Sequence, residues 1–399
     1  MSVRSLEELI TTRKVLVCCG SGGVGKTTTS AALALEAAML GRKAVVCTID
    51  PARRLASSLG LAELGNEVVQ VAPERFEAAG IAPRGSLHAL MLDTKRTFDR
   101  LIERYAKDPE RRERILANKF YQQMSSTVVG SSDYMAMEKL YELHESGAFD
   151  LIVLDTPPTK HALDFLQAPE RMTKAFDQST LDVFLKPWAE AGARSLGFIG
   201  RALGKVVQKV DALIGLQFVQ DLADFFRAFE GMYEGFRGRA EKVGALLREP
   251  FTSFLVVTSP QPLPLQEAGF FCERLREFRL PLAGVVVNRV HPSCLADPRP
   301  LMDSLAREGK EALLRSAMAA ARAGGEPPPQ LEALLGAFLD QEVLAQGDRQ
   351  RIEAFVHGPA RGVLVQRVPA FARDVHDITG LHGLGTQLLG NGAHAAVSA

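Results

Sequence analysis

VLVCCGSGGVGKTTTS, residues 15–30, joins an unbroken apolar run to a glycine loop and then to small, helix-compatible residues. Its middle, GSGGVGKT (20–27), satisfies the spacing G-x-x-x-x-G-K-[ST] in full. Between a strand and a helix, that spacing makes a phosphate-binding loop. Glycines let the backbone wrap so that its N–H groups face phosphate oxygens, in front of the positive end of the following helix. Gly22, Gly23, Val24, Gly25, Lys26, Thr27 and Thr28 are therefore the expected nucleotide-binding residues. Lys26 is expected on the β- and γ-phosphates, and the Thr27 hydroxyl on Mg²⁺.

Outward from this loop, the same kind of apolar run recurs at 43–50, 87–93, 150–156, 253–259, 283–290 and 362–369. These runs are rich in Val, Leu and Ile and do not alternate polar with apolar, as expected of strands buried on both faces. Helical patterns between them supply the crossovers of a parallel sheet. The expected fold is a doubly wound, mostly parallel α/β sheet with an inserted helical subdomain. Its core is divided into 1–94, 147–159 and 251–382, the last carrying an insertion at 321–358. Segments 95–146 and 160–250 read as helical, with apolar stripes at 196–214 and 218–236 following a three-and-four spacing. From Gly383 onward the Gly- and Ala-rich chain reads as a flexible tail, 383–399.

A magnesium–phosphate site also needs acids at the carboxyl ends of neighbouring strands. Asp50 ends KAVVCTID and Asp155 ends DLIVLDT, and each precedes a proline-containing loop. Asp155 is expected to orient Mg²⁺ through its waters, and Asp50 to polarise the attacking water. Composition sets limits around this chemistry. With 47 basic and 47 acidic residues the net charge is zero, which argues against a nucleic-acid partner. No run of eighteen apolar residues and no apolar leader occurs, so a cytoplasmic chain without direct membrane insertion is expected. The five cysteines form no CxxC pair and read as small buried hydrophobes.

GSGGVGKTT, TIDPARRL and LDTPPTKHALDFL together resemble the ArsA-like ATPases, within the dimeric, MinD-like class of P-loop proteins. The family includes arsenite-pump ATPases and the ATPase that targets tail-anchored membrane proteins. The resemblance implies that Asp50 is the switch I aspartate that activates water and that Asp155 belongs to switch II. VVVNRVHP (285–292) and VPAFARDVHDITGL (368–381) resemble the segments that hold the nucleotide base. Asn288, whose amide would read adenine, and Pro369 are the expected contacts there. The implied ligands are ATP and Mg²⁺, and the implied activity is hydrolysis of ATP.

Two departures from the family pattern matter. Ser21 stands where the family usually carries a lysine that crosses to the partner's phosphates. A homodimer would lack both such lysines, so hydrolysis is slow, or Arg53 or Arg54 substitutes, or a paralogous partner carrying the signature lysine supplies it. The heterodimer is the favoured expectation. Second, no cysteine lies between Cys47 and Cys272, which does not fit an arsenite site. The expected function is an Mg-dependent ATPase cycling between dimer states. Its helical subdomain would hold a protein client, such as the transmembrane segment of a tail-anchored protein. Alternatives are a weakly catalytic, nucleotide-gated subunit of a heteromer and a MinD- or partition-type positioning ATPase.

Overall fold

The computed structural model describes residues 4–49, 54–61, 64–119, 121–122, 125, 131–156, 225, 232–323 and 325–390. Within them lie strands β1 (Val15–Cys19), β2 (Lys43–Thr48), β3 (Val69–Gln70) and β4 (Ser86–Met91). Strands β5 (Leu151–Asp155), β6 (Thr252–Thr258), β7 (Leu282–Val290) and β8 (Leu364–Pro369) follow. They form one eight-stranded sheet in the order β3-β4-β2-β5-β1-β6-β7-β8. All neighbours are parallel except β3, which pairs antiparallel with β4.

The unbroken apolar runs have a direct physical cause. In β1, Val15, Val17 and Cys19 enter one hydrophobic core while Leu16 and Cys18 enter the other. Successive side chains of a strand point to opposite faces, so a strand covered on both sides must be apolar at every position. One core is closed by the helices Leu6–Thr12, Lys26–Met39 and Ile378–Leu388. The other is closed by Thr94–Tyr105, Ser131–Glu145, Tyr233–Leu246, Pro262–Glu277 and Leu331–His357. In Lys26–Met39, Ala31, Ala32, Ala34, Ala37 and Ala38 are all fully buried. Small side chains let this helix lie close to the sheet that carries the phosphate loop.

All seven apolar runs are strands, and the doubly wound α/β reading holds. The insertion 321–358 leads into a helix as its sequence suggests, Leu331–His357, 27 residues long. Two details differ from expectation. The two-residue β3 was not anticipated, being too short to show any period. Residues from Gly383 to Leu388 are not a flexible tail. They complete the helix Ile378–Leu388, because Leu381, Leu384 and Leu388 pack into the core beside the phosphate-loop helix. The stripe 196–214 and most of 218–236 fall outside the described residues, as do Asp50, Arg53 and residues 391–399.

The helical layer is tied together by a buried ion pair. Arg239 Nε donates to Glu138 Oε1 at 2.7 Å and its NH1 to Glu145 Oε2 at 2.6 Å. Its guanidinium also lies 4.1 Å from the Tyr141 ring centroid. Arg239 and Glu138 are only 5% and 2% exposed, so losing one partner strands a charge. Arg239→Ala should lower stability in urea denaturation by about 3–5 kcal/mol, whereas Arg239→Met combined with Glu138→Leu should recover most of it.

Candidate functional site

The sheet order assembles the site. Since β1 lies between β5 and β6, the loop after β1 meets the carboxyl end of β5, with Cys18 opposite Asp155. Open α/β sheets bind ligands in such a crevice. Gly20 has φ +146°, and a Cβ there would overlap the Val257 carbonyl of β6. Only glycine lets the chain leave β1 this close to its neighbour. Gly25, at φ +94°, precedes the helix Lys26–Met39 and leaves room for the Asn288 amide, which any Cβ would strike.

Asp155 stands at the foot of this loop. The Thr27 hydroxyl donates to its Oδ2 at 2.6 Å, and the Thr48 hydroxyl at the end of β2 donates to the same oxygen at 2.8 Å. The Thr156 hydroxyl donates to the Cys18 carbonyl at 2.9 Å, fastening the chain just past β5 to β1. The expected partners Thr27 and Asp155 are thus brought together, with Thr48 as an addition that sequence reading missed. A hydroxyl and a carboxylate in front of a helix N-terminus are hard oxygen donors of the kind magnesium takes, so this site fits that ion.

Lys26 is 7% exposed, and its Nζ donates to the Ser21 carbonyl at 2.7 Å. The ammonium therefore bends back across the mouth of the loop. The Ser21 hydroxyl is shielded from solvent, so the residue in the signature position offers neither charge nor an outward-facing donor. Gly22 and Gly23 are exposed, and Thr27 and Thr28 are half-buried at the head of the helix.

From the far side, β7 grips the loop. Asn288 Nδ2 donates to the Val24 carbonyl at 2.9 Å, and Arg289 NH1 donates to the Gly23 carbonyl at 3.1 Å. Arg289 adopts φ +61°, a left-handed conformation that costs a residue with a side chain about 1 kcal/mol or more. Its own N–H donates to Asn288 Oδ1 at 2.9 Å, which holds it there. Asn288 therefore also braces the loop, a role its strand-end position did not reveal. Arg289 was not singled out at all. Pro369 ends β8 opposite Val290, and Ala370 N–H donates to the Val290 carbonyl at 2.8 Å.

Burial pushes the thiols of Cys18 and Cys47 up to about 12 and that of Cys272 to about 11. They stay protonated near neutral pH and act as small core residues. Among the described residues, no group of three or more His, Cys, Asp and Glu is placed to hold a metal ion. No described helix is long and apolar enough to cross a membrane.

The grip on Val24 can be tested by one atom. Asn288→Asp keeps an oxygen for the Arg289 N–H but replaces the donor to Val24 with a carboxylate. Facing a carbonyl, it should weaken ATP binding by about 1–3 kcal/mol in isothermal titration calorimetry. Unchanged affinity would show that the bond does not shape the loop.

A family model described as anion-transporting ATPase matches residues 13–308. The match runs from the residue before Lys14 to the end of the helix Arg299–Glu308, and so contains β1 to β7. The ATPase GET3 of Malassezia globosa is 27% identical over 278 residues, 69% of this chain and 72% of its own. The ATPase get3 of Schizosaccharomyces pombe is 25% identical over 297 residues, 74% of this chain and 78% of its own. ATPase ASNA1 homolog 2 of Paramecium tetraurelia is 26% identical over 274 residues, 68% and 74% respectively. The phosphate loop, the acid beneath it and a family match over most of the chain lead to one conclusion: this is an ATP-hydrolysing enzyme of the anion-transporting (ArsA) ATPase family.

Proposed function

We propose that the chain hydrolyses ATP with Mg²⁺, cycles between nucleotide-controlled dimer states, and uses its helical subdomain to hold a protein client. The observation that carries the catalytic part is the 2.6 Å bond between Thr27 and Asp155 at the head of a glycine loop. When bound there, magnesium would offset charge on the terminal phosphates. The loop amides and the N-terminus of Lys26–Met39 bind the phosphate chain. Lys26 would exchange the Ser21 carbonyl for β- and γ-phosphate oxygens, and Thr27 and Asp155 would hold the metal. Asp50, two residues beyond the end of β2, orients the attacking water in line with the leaving group.

A single phosphate loop per chain supports a dimer in which each subunit completes the other's site. The client reading rests on the apolar stripes at 196–214 and 218–236 and on the resemblance to ATPases that target tail-anchored proteins. Such a groove would bind a transmembrane segment by buried apolar area. Ser21 favours a second reading, in which the chain is the weakly catalytic, nucleotide-gated member of a heteromer with a lysine-bearing paralog.

Steady-state ATP turnover separates the two. The purified chain should hydrolyse ATP, and Asp50→Asn should lower kcat by about 10²- to 10⁴-fold while leaving nucleotide binding intact. Turnover unaffected by the substitution would remove Asp50 from its assigned role. Turnover that begins only when a paralog is added would select the second reading.

A further inference from the structure

Strand β2 ends on a polar side chain that its surroundings do not call for. Ala44, Val45, Val46 and Cys47 are fully buried and apolar, whereas Thr48 puts a hydroxyl into the same setting at 2% exposure. A buried hydroxyl costs stability unless it is bonded, and a valine of nearly the same shape would continue the run. The sheet itself does not need the hydroxyl. Backbone pairing of β2 with β5 already runs as far as Thr48 and Asp155. From the other side, the Leu92 N–H just past β4 donates to the Thr48 carbonyl at 2.8 Å. The side-chain bond is additional to that ladder.

Its target is specific. Side chains alternate along a strand, so Thr48 continues the row of Ala44 and Val46, and Asp155 the row of Leu151 and Val153. Both rows face the core that the phosphate-loop helix Lys26–Met39 closes. There Thr48 and Thr27 donate to the same oxygen, Asp155 Oδ2, at 2.8 and 2.6 Å. Donors to a carboxylate oxygen prefer its plane, and two of them fill the two lone-pair directions of that oxygen. One bond fixes a direction; two bonds from different elements fix the plane of the carboxylate. Thr27 heads the helix that follows the ligand loop, while Thr48 sits in the sheet and supplies the fixed reference.

We propose that Thr48 is a positioning residue for the magnesium site, holding the plane of the Asp155 carboxylate so that Thr27 and Asp155 meet the ion as a preformed pair. This deepens the magnesium reading above and rests on it. Thr48 acts through Asp155 and touches neither nucleotide nor metal. Its hydroxyl therefore governs how much magnesium adds to nucleotide binding.

The test measures that quantity as a ratio. The affinity of the full chain for a non-hydrolysable ATP analogue is determined by isothermal titration calorimetry in magnesium and again in EDTA. Any effect of a substitution on the shape of the loop enters both values and cancels. Thr48→Val keeps the shape without the hydroxyl and should lower the ratio about tenfold, the range of a hydrogen bond to a charged group. The magnesium concentration that gives half-maximal ATP turnover should rise in parallel. Thr48→Ser keeps the hydroxyl without the methyl and should restore most of the ratio. Thr48→Ala replaces the valine variant should that one fail to fold, with the same expected loss. A ratio in the valine or alanine variant equal to the parent's would overturn the proposal. So would a serine variant as impaired as valine, because the methyl would then carry the effect. A parent that binds the analogue equally with and without magnesium would instead overturn the magnesium reading itself, and the proposal with it.

Discussion

A phosphate loop presents its N–H groups to a ligand only if its carbonyls are held elsewhere. Here two successive carbonyls, Gly23 and Val24, are taken by two adjacent side chains at the end of β7, Arg289 and Asn288. The remaining constraints serve that arrangement. Gly20 lets the chain pass the Val257 carbonyl, Gly25 leaves space for the Asn288 amide, and Asp155 draws Thr27 and Thr48 together below. The loop is thus clamped between β5 on one side and β7 on the other. Bonds within the protein fix its shape, which reduces the ordering cost of binding.

The same clamp extends into the chain beyond the stretch that the family model matches. The backbone N–H and ring Nδ1 of His291 contact the buried Asp348 at 2.9 and 2.7 Å, and Glu342 accepts from the Ser293 hydroxyl at 2.7 Å. Both carboxylates come from the helix Leu331–His357. That helix lies beyond the stretch matched by the family model, yet it fastens the loop that follows Asn288 and Arg289. On the opposite face, the phosphate-loop helix packs against Ile378–Leu388. The nucleotide site is therefore braced by two elements from the C-terminal part of the chain.

Much of this was legible in the sequence because its causes are local. A strand buried on both faces must be apolar throughout, so all seven such runs could be read directly. The glycine spacing at 20–27 and the strand-terminal Asp155 needed only their neighbours. What escaped had non-local causes. Thr48 meets Asp155 only because β2 lies beside β5, and Asn288 meets Val24 across more than 260 residues of chain. Arg289 looks like an ordinary exposed charge until its left-handed backbone and its bond to Gly23 are seen. The segment after Gly383 was misjudged for a related reason. Its glycines suggested mobility, but Leu384 and Leu388 gain a core that only the folded sheet provides.

Ser21 keeps its interest in this light. It places no charge at the start of the loop but leaves the loop, the acid and the clamp in place. Such a site should still bind and cleave ATP, with the chemistry dependent on the Thr27–Asp155 pair. The most direct measurement is phosphate release by the purified chain at saturating ATP, with and without magnesium, for the parent and Thr27→Ala. Magnesium-dependent release that Thr27→Ala abolishes is the predicted result. Release that is indifferent to both the metal and the substitution would contradict it.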